Sequence, residues 1–188
     1  MIAEGCYYTK NRLKHFLIIF IMAILMQIVF YLAMNSLSLS IFAIFSFSII
    51  LIYLFDSAKN NLQDGKNIIG SLFIILFVGL TISLYFLNKK TNIMIDNYGF
   101  YGVMIPVVLY ILRMYTKRNI WISIIVFAII LVAHVFIANE LINLYELIGI
   151  ALLCLYNGKR GKYNLKYFFY VFYPVHIVII YGIYLLMK

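Results

Sequence analysis

The sequence predicts an all-α protein, a polytopic helical bundle embedded in a membrane. Of its 188 residues, 66% are hydrophobic and only 11% are charged, and the mean hydropathy is +1.04. A soluble domain is about half apolar and about a quarter charged, so a soluble fold would leave much of this apolar surface in water. The apolar residues also form separate stretches, most of them close to the roughly 20 residues that cross about 30 Å of hydrocarbon as a helix.

Charges and turn residues divide the chain into seven predicted spans. They lie near residues 16–34, 37–55, 68–87, 101–115, 120–138, 141–156 and 168–187. The fourth is the weakest, because its apolar core from Val103 to Leu112 is short and contains Pro106. A kinked, tilted or partly re-entrant helix is tolerated there when neighbouring helices bury it. A six-span arrangement therefore stays open, and in both arrangements residues 1–188 form a single domain.

The distribution of Lys and Arg favours seven spans with the N-terminus in the cytoplasm and the C-terminus outside. Short cytoplasmic loops of multi-pass proteins accumulate these residues. In the seven-span arrangement twelve of the fifteen face the cytoplasm, and only Lys89, Lys90 and Lys188 lie outside. Without the fourth span, the clusters at 113–118 and 159–166 would move to the outside. The clusters are short and form no continuous basic face, so the formal charge of +9 predicts no nucleic-acid partner.

The leading segment and the two cysteines carry no processing or metal signal. Cys6 lies in the leading segment and Cys154 in an apolar run, which predicts two free thiols rather than a disulfide framework or a metal site. Glu4 precedes the first basic residues, and the first apolar run is too long for a signal peptide and lacks a small-residue cleavage site. That run is predicted to be a retained first span.

Two ionisable residues inside predicted spans are candidates for chemistry, because such a residue costs about 3 kcal/mol on insertion scales. His176 lies about nine residues beyond Tyr167, which places it about 13 Å along the last helix, near the bilayer centre. A neutral imidazole there can act as a general base, and a structural interhelical hydrogen bond is an equally good interpretation. Glu146, about one and a half turns into the sixth span, is a candidate to hold a substrate amine or to orient a histidine.

A basic loop between the last two spans is the candidate binding site for a phosphate-bearing cofactor. Its glycines let backbone N–H groups approach an anion, and its Lys and Arg side chains neutralise phosphate. The candidate residues are Asn157, Gly158, Lys159, Arg160 and Lys162. Composition alone favours the simpler interpretation, a loop that is basic because it is cytoplasmic and that contacts anionic lipid headgroups.

The C-terminal part of the chain carries a family resemblance. Residues 155–162 read Leu-Tyr-Asn-Gly-Lys-Arg-Gly-Lys, residues 165–170 Leu-Lys-Tyr-Phe-Phe-Tyr, and residues 172–176 Phe-Tyr-Pro-Val-His. Together they resemble the closing signature of the TraX family, polytopic membrane proteins typified by the F-pilin acetylase. Glu4-Gly5, followed by Thr-Lys-Asn-Arg at 9–12, resembles the family's loop before an internal span. Residues 98–102, Tyr-Gly-Phe-Tyr-Gly, resemble its tyrosine and glycine turn.

The resemblance implies transfer of an acetyl group from acetyl-CoA to the N-terminal amine of a pilin-like or other small membrane-associated peptide. It also implies the plasma (inner) membrane of a bacterium. In this reaction His176 would act as the base, Glu146 would hold the amine or orient the imidazole, and the 157–162 loop would meet the CoA phosphates. Family members usually begin with further apolar helices, the first carrying an Asp-His pair, so the expectation is a shortened member or a product started at an internal Met. A non-catalytic partner or remnant, and a small transporter, are the alternative functions.

Overall fold

The computed structural model describes residues 2–34, 39–91, 99–116, 120–138 and 166–187. These ranges contain seven α-helices and no β-strand: α1 (Ile2–Tyr8), α2 (Arg12–Met34), α3 (Ile41–Gln63), α4 (Asn67–Thr91), α5 (Gly99–Tyr115), α6 (Ile120–Ala138) and α7 (Lys166–Leu186). The predicted all-α class is confirmed, and six of the seven predicted spans overlap α2 to α7, although α3 ends at Gln63 rather than near residue 55. The remaining span, 141–156, lies outside the described residues.

Several of these helices have the length and composition of membrane spans. Three are long and apolar enough to cross a bilayer: Arg12–Leu32, Ile41–Gln63 and Asn67–Lys90. The apolar parts of the other three are shorter: Gly99–Tyr115, Trp121–Ala133 and Val171–Ile183. Large apolar side chains also face outward on α2 and α4, among them Leu32, 77% exposed, and Ile68, 86% exposed. An apolar exterior of this extent is suited to lipid, so the predicted helical membrane bundle is confirmed.

Helix α3 is the centre of the bundle and contacts α1, α2, α4 and α5. Half of the apolar stretch of α3 is buried inside the protein, compared with 11% of that of α4. Ile49, Leu51 and Ile52 are completely buried, and the Ser48 hydroxyl donates a hydrogen bond of 2.8 Å to the backbone oxygen of Val103 in α5. Such a bond between helices is retained in lipid because no water competes for its partners.

The two ends of α3 follow from local sequence. At its start the Ser40 hydroxyl accepts a hydrogen bond of 3.3 Å from the backbone N–H of Ala43, which caps the first turn. At its end Gly65 takes a positive φ of 75°, a conformation that favours glycine. Gly70, in the first turn of α4, lies against Leu62 so closely that a Cβ atom there would be 2.6 Å from the leucine side chain. This turn therefore sets α3 and α4 side by side as a tight helical hairpin.

The weakest predicted span, 101–115, is the helix α5, which runs without interruption through Pro106. Its 17 residues extend about 25 Å, a little less than the hydrocarbon thickness. Val103 and Val107 are completely buried, as expected for a proline-containing helix that neighbours support. Gly99, with a φ of 52°, begins this helix. The residues that resemble a tyrosine and glycine turn thus form, from Gly99 onward, the first turn of α5.

The segment that resembles the family's loop is helical around Glu4, where it forms the short helix α1, and only residues 9–11 form a connection before α2. Ala3 and Cys6 are three residues apart, lie on one face of α1 and are buried. Burial of this face against α3 and α5 explains why the segment is helical. It also brings the N-terminus of the chain to the C-terminal ends of α3 and α5.

Candidate functional site

A cluster of polar side chains, five of them buried, lies where α1 meets the start of α2 and the ends of α3 and α5. The cluster comprises Glu4, Cys6, Tyr8, Arg12, His15, Tyr53, Asp56, Tyr110 and Arg113. Charged side chains in a membrane bundle are costly unless they are paired, and they often mark functional positions. We call this set the Asp56 cluster.

Asp56 connects three helices through one carboxylate oxygen. Its Oδ2 accepts a hydrogen bond of 2.7 Å from Nη2 of Arg12 and another of 2.6 Å from the hydroxyl of Tyr110. Asp56 itself is 5% exposed. Its other oxygen, Oδ1, has no hydrogen-bond partner among the described residues. Because both donors bind the ionised carboxylate, Asp56 fixes the start of α2 and the end of α5 against α3.

Arg113 anchors α1 to α5. Its Nη1 donates to Oε1 of Glu4 in an ion pair, and its Nη2 donates a hydrogen bond of 3.1 Å to the hydroxyl of Tyr8. The guanidinium carbon also lies 5.4 Å from the ring centroids of both Tyr7 and Tyr8. Arg113 is 8% exposed. Its buried positive charge is therefore stabilised by these partners.

Cys6 and His15 complete the cluster around the hydroxyl of Tyr53. Nδ1 of His15 lies 3.1 Å from that hydroxyl, which also forms a hydrogen bond with the thiol of Cys6. Burial raises the pKa of the Cys6 thiol to about 12, so the thiol is neutral and a poor nucleophile at physiological pH. A Cβ atom on Gly5 would lie 3.1 Å from Nε2 of His15. Glycine therefore allows α1 to pass closely over the imidazole.

His176, the candidate base, lies on α7 in an aromatic environment. It is half-buried, and its ring centroid is 5.2 Å from that of Phe172 and 5.2 Å from that of Tyr173. Its Nδ1 is 3.0 Å from the backbone oxygen of Phe172. A carbonyl can only accept a hydrogen bond, so in the neutral imidazole Nδ1 carries the proton. Nε2 then carries a lone pair, and it has no hydrogen-bond partner among the described residues.

The structure does not bring His176 to the Asp56 cluster. The ring of Tyr173, one turn from His176, lies 5.1 Å from the ring of Phe42 in the first turn of α3. Asp56 is fourteen residues further along α3, or about 21 Å at 1.5 Å per residue. The helical turn that carries Tyr173 and His176 and the Asp56 cluster therefore lie near opposite ends of α3.

The remaining candidate residues lie outside the described residues. These are Glu146 and the loop residues Asn157, Gly158, Lys159, Arg160 and Lys162. The described residues also contain no group of three His, Cys, Asp or Glu side chains that could hold a metal ion.

The sequence interpretation missed the Asp56 cluster. Asp56 directly follows the predicted second span, 37–55, whereas α3 continues to Gln63. One signal was available, because an acidic residue at the end of a long apolar run is rare unless a partner neutralises it. The identity of that partner depends on packing, since Arg12 and Tyr110 are far from Asp56 in the sequence.

Comparison with known proteins agrees with the motifs of the C-terminal part. A family model described as TraX protein matches residues 1–184. The matched range contains the Asp56 cluster, the 157–162 loop and His176. No curated protein and no solved structure matches this chain.

Proposed function

The chain belongs to the TraX family, and from this premise we propose that it is a membrane-embedded acetyltransferase. The donor is acetyl-CoA, and the acceptor is the N-terminal amine of a small membrane-associated peptide such as a pilin subunit. The family match over residues 1–184 carries this proposal. Nε2 of His176, which has no hydrogen-bond partner in the described part of the chain, supports it, because general-base catalysis needs an unprotonated nitrogen within reach of the substrate.

In the proposed reaction the amine nitrogen of the peptide attacks the carbonyl carbon of the thioester. A C–N bond forms, the C–S bond breaks, and CoA leaves as a thiolate. Nε2 of His176 takes the proton that the amine loses and can pass it to the departing thiolate, so the charges balance. The hydrogen bond from Nδ1 to Phe172 orients the ring during both transfers. Glu146 holds the ammonium form of the incoming peptide or orients the imidazole.

The proposed donor site is the loop with Asn157, Gly158, Lys159, Arg160 and Lys162. Replacement of both Lys159 and Arg160 by Ala should weaken acetyl-CoA binding about tenfold or more at low salt, because hydrogen bonds between charged groups are lost. The difference should shrink as salt rises, because ions screen the remaining attraction. Isothermal calorimetry on the solubilised full chain at two salt concentrations measures both effects.

The double substitution of Lys89 and Lys90 by Ala is the matched control. It removes the same amount of charge at the end of α4, on the side predicted to be extracellular. We expect this control to bind acetyl-CoA like the parent. Equal affinities for all three proteins would remove the donor-site role of the loop, and equal weakening by both double substitutions would indicate nonspecific charge attraction.

We further propose that the N-terminus and the 157–162 loop face the cytoplasm and that Lys188 lies outside. The fold supports an alternating arrangement, because the Arg12–Asp56 pair joins the start of α2 to the C-terminal half of α3, and Lys59 lies over the Tyr115 ring at 5.5 Å. In intact cells, an impermeant maleimide should label Lys188→Cys and leave Lys162→Cys unlabelled, after Cys6 and Cys154 have been replaced by Ala. Labelling of both positions after permeabilisation is the control. Labelling of Lys162→Cys in intact cells would reverse the proposed orientation.

A further inference from the structure

A groove of about 380 Å³ lies between α2 and α3, beside the Asp56 cluster. Its lining residues are Arg12, Leu13, Phe16, Ile50, Tyr53, Leu54 and Ser57. Its wall is almost entirely apolar. Arg12 and Ser57 mark one end, which we call the polar end, and Phe16 and Ile50 are deeper by about one to two helical turns. Its volume is within the range of sites for small ligands, about 300–1,000 Å³.

Arg12 is fixed at the polar end and still has donors to offer. Its Nη2 is held by Asp56 at 2.7 Å, and its guanidinium carbon lies 5.2 Å from the ring centroid of Tyr53. Its Nη1 and Nε have no hydrogen-bond partner among the described residues, and 44% of its side chain is exposed. Asp56 thus acts as a positioning residue that keeps a charged, partly free guanidinium at the mouth of the groove.

We propose that this groove binds an anionic phospholipid, with the phosphate on Arg12 and one acyl chain along Phe16, Ile50 and Leu54. Charge complementarity supports this occupant, because Lys10 and Lys14 lie beside Arg12 in the sequence and add positive charge at the same end. The apolar wall supports it too, because Phe16, Ile50 and Leu54 offer an acyl chain an apolar surface to pack against. A soluble phosphate would bind Arg12 and leave the apolar part of the groove unused. This site is independent of the proposed acetyl transfer.

Native mass spectrometry of the full chain in detergent tests whether Arg12 binds the negatively charged phosphate of the lipid. The probes are dioleoyl phosphatidylglycerol and dioleoyl phosphatidylcholine, which share their acyl chains and differ in net charge. The parent should retain the first molecule of phosphatidylglycerol about fivefold more strongly than phosphatidylcholine, and Arg12→Gln should remove most of this preference. Lys66→Gln, an exposed change outside the groove, should keep it. Equal preferences in Arg12→Gln and Lys66→Gln would overturn the assignment of the phosphate to Arg12.

A second variant tests the acyl chain. Leu54→Trp fills the groove and keeps every charge, so retention of both lipids should fall if a chain lies there. Unchanged retention would reduce the interaction to attraction at the surface and overturn the groove as the site.

Photocrosslinking of the unaltered protein keeps the proposal testable if the variants fold poorly. Phosphatidylglycerol with a diazirine in its acyl chain should label peptides from 13–16 and 50–57 more than peptides from α4, which is exposed along most of its length. Uniform labelling of α4 and the groove would contradict a specific site. Absence of label at 13–16 and 50–57 would overturn the groove as a lipid site.

Discussion

The replacement His176→Gln should lower the rate of peptide acetylation about 10²-fold to 10⁴-fold, the range typical of a lost general base. Glutamine keeps a hydrogen-bonding side chain of similar reach, so it can preserve the bond to the Phe172 carbonyl. It has no nitrogen that accepts a proton at neutral pH, and the chemical step therefore slows. Mass spectrometry of the N-terminus of the peptide measures acetylation, with the membrane level of each variant matched to the parent.

His15→Gln is the matched control, because it makes the same substitution in the Asp56 cluster. His15 belongs to α2 and lies near the end of α3 that is far from His176. His15 contacts the Tyr53 hydroxyl within the Asp56 cluster, so its loss should reduce stability and leave acetylation per folded molecule within a few fold of the parent. Full activity in His176→Gln would make His176 a structural residue and place the base elsewhere. No acetylation by the parent itself would favour the alternative function, a non-catalytic member of the family.

The largest expected effect on stability comes from the ion pair between Glu4 and Arg113. Glu4→Gln leaves the Arg113 guanidinium, whose side chain is 9% exposed, without its counter-charge. Loss of one partner of a buried pair costs about 3–5 kcal/mol. We expect Glu4→Gln to lower the free energy of unfolding by an amount near the lower end of this range, because the Glu4 side chain is itself 20% exposed. Denaturant titration of the solubilised chain measures this loss.

A double-mutant cycle separates the pair from its surroundings. Arg113→Met removes the charge and keeps an apolar side chain, so the combination Glu4→Gln with Arg113→Met should cost less than the two single changes added together. Asp64→Asn is the control, because it makes an equivalent change at an exposed position and should change stability by about 0.5 kcal/mol or less. Additive costs in the cycle would show that Glu4 and Arg113 contribute independently and that the pair does not hold α1 in place.

The sequence by itself determined the class of the protein and the positions of most helices. Apolar stretches near 20 residues can satisfy their backbone hydrogen bonds in lipid only as helices, so composition and spacing were enough to predict α2, α3 and α4. The motifs of the C-terminal part were enough to identify the TraX family. Both kinds of signal are local, because each depends on residues that are close together along the chain.

The tertiary structure alone decided which polar residues meet. Asp56 is 44 residues from Arg12 and 54 from Tyr110 along the chain, and Arg113 is 109 from Glu4. No local pattern encodes these pairs, because they depend on the contacts of α3 with α2 and α5 and on the docking of α1 as a helix. The cost of leaving a charge unpaired in a membrane bundle predicts that Asp56 has a partner. Only the packing of the helices shows that the partners are Arg12 and Tyr110, and that Asp56 lies about 21 Å along α3 from Phe42, which contacts Tyr173 of α7.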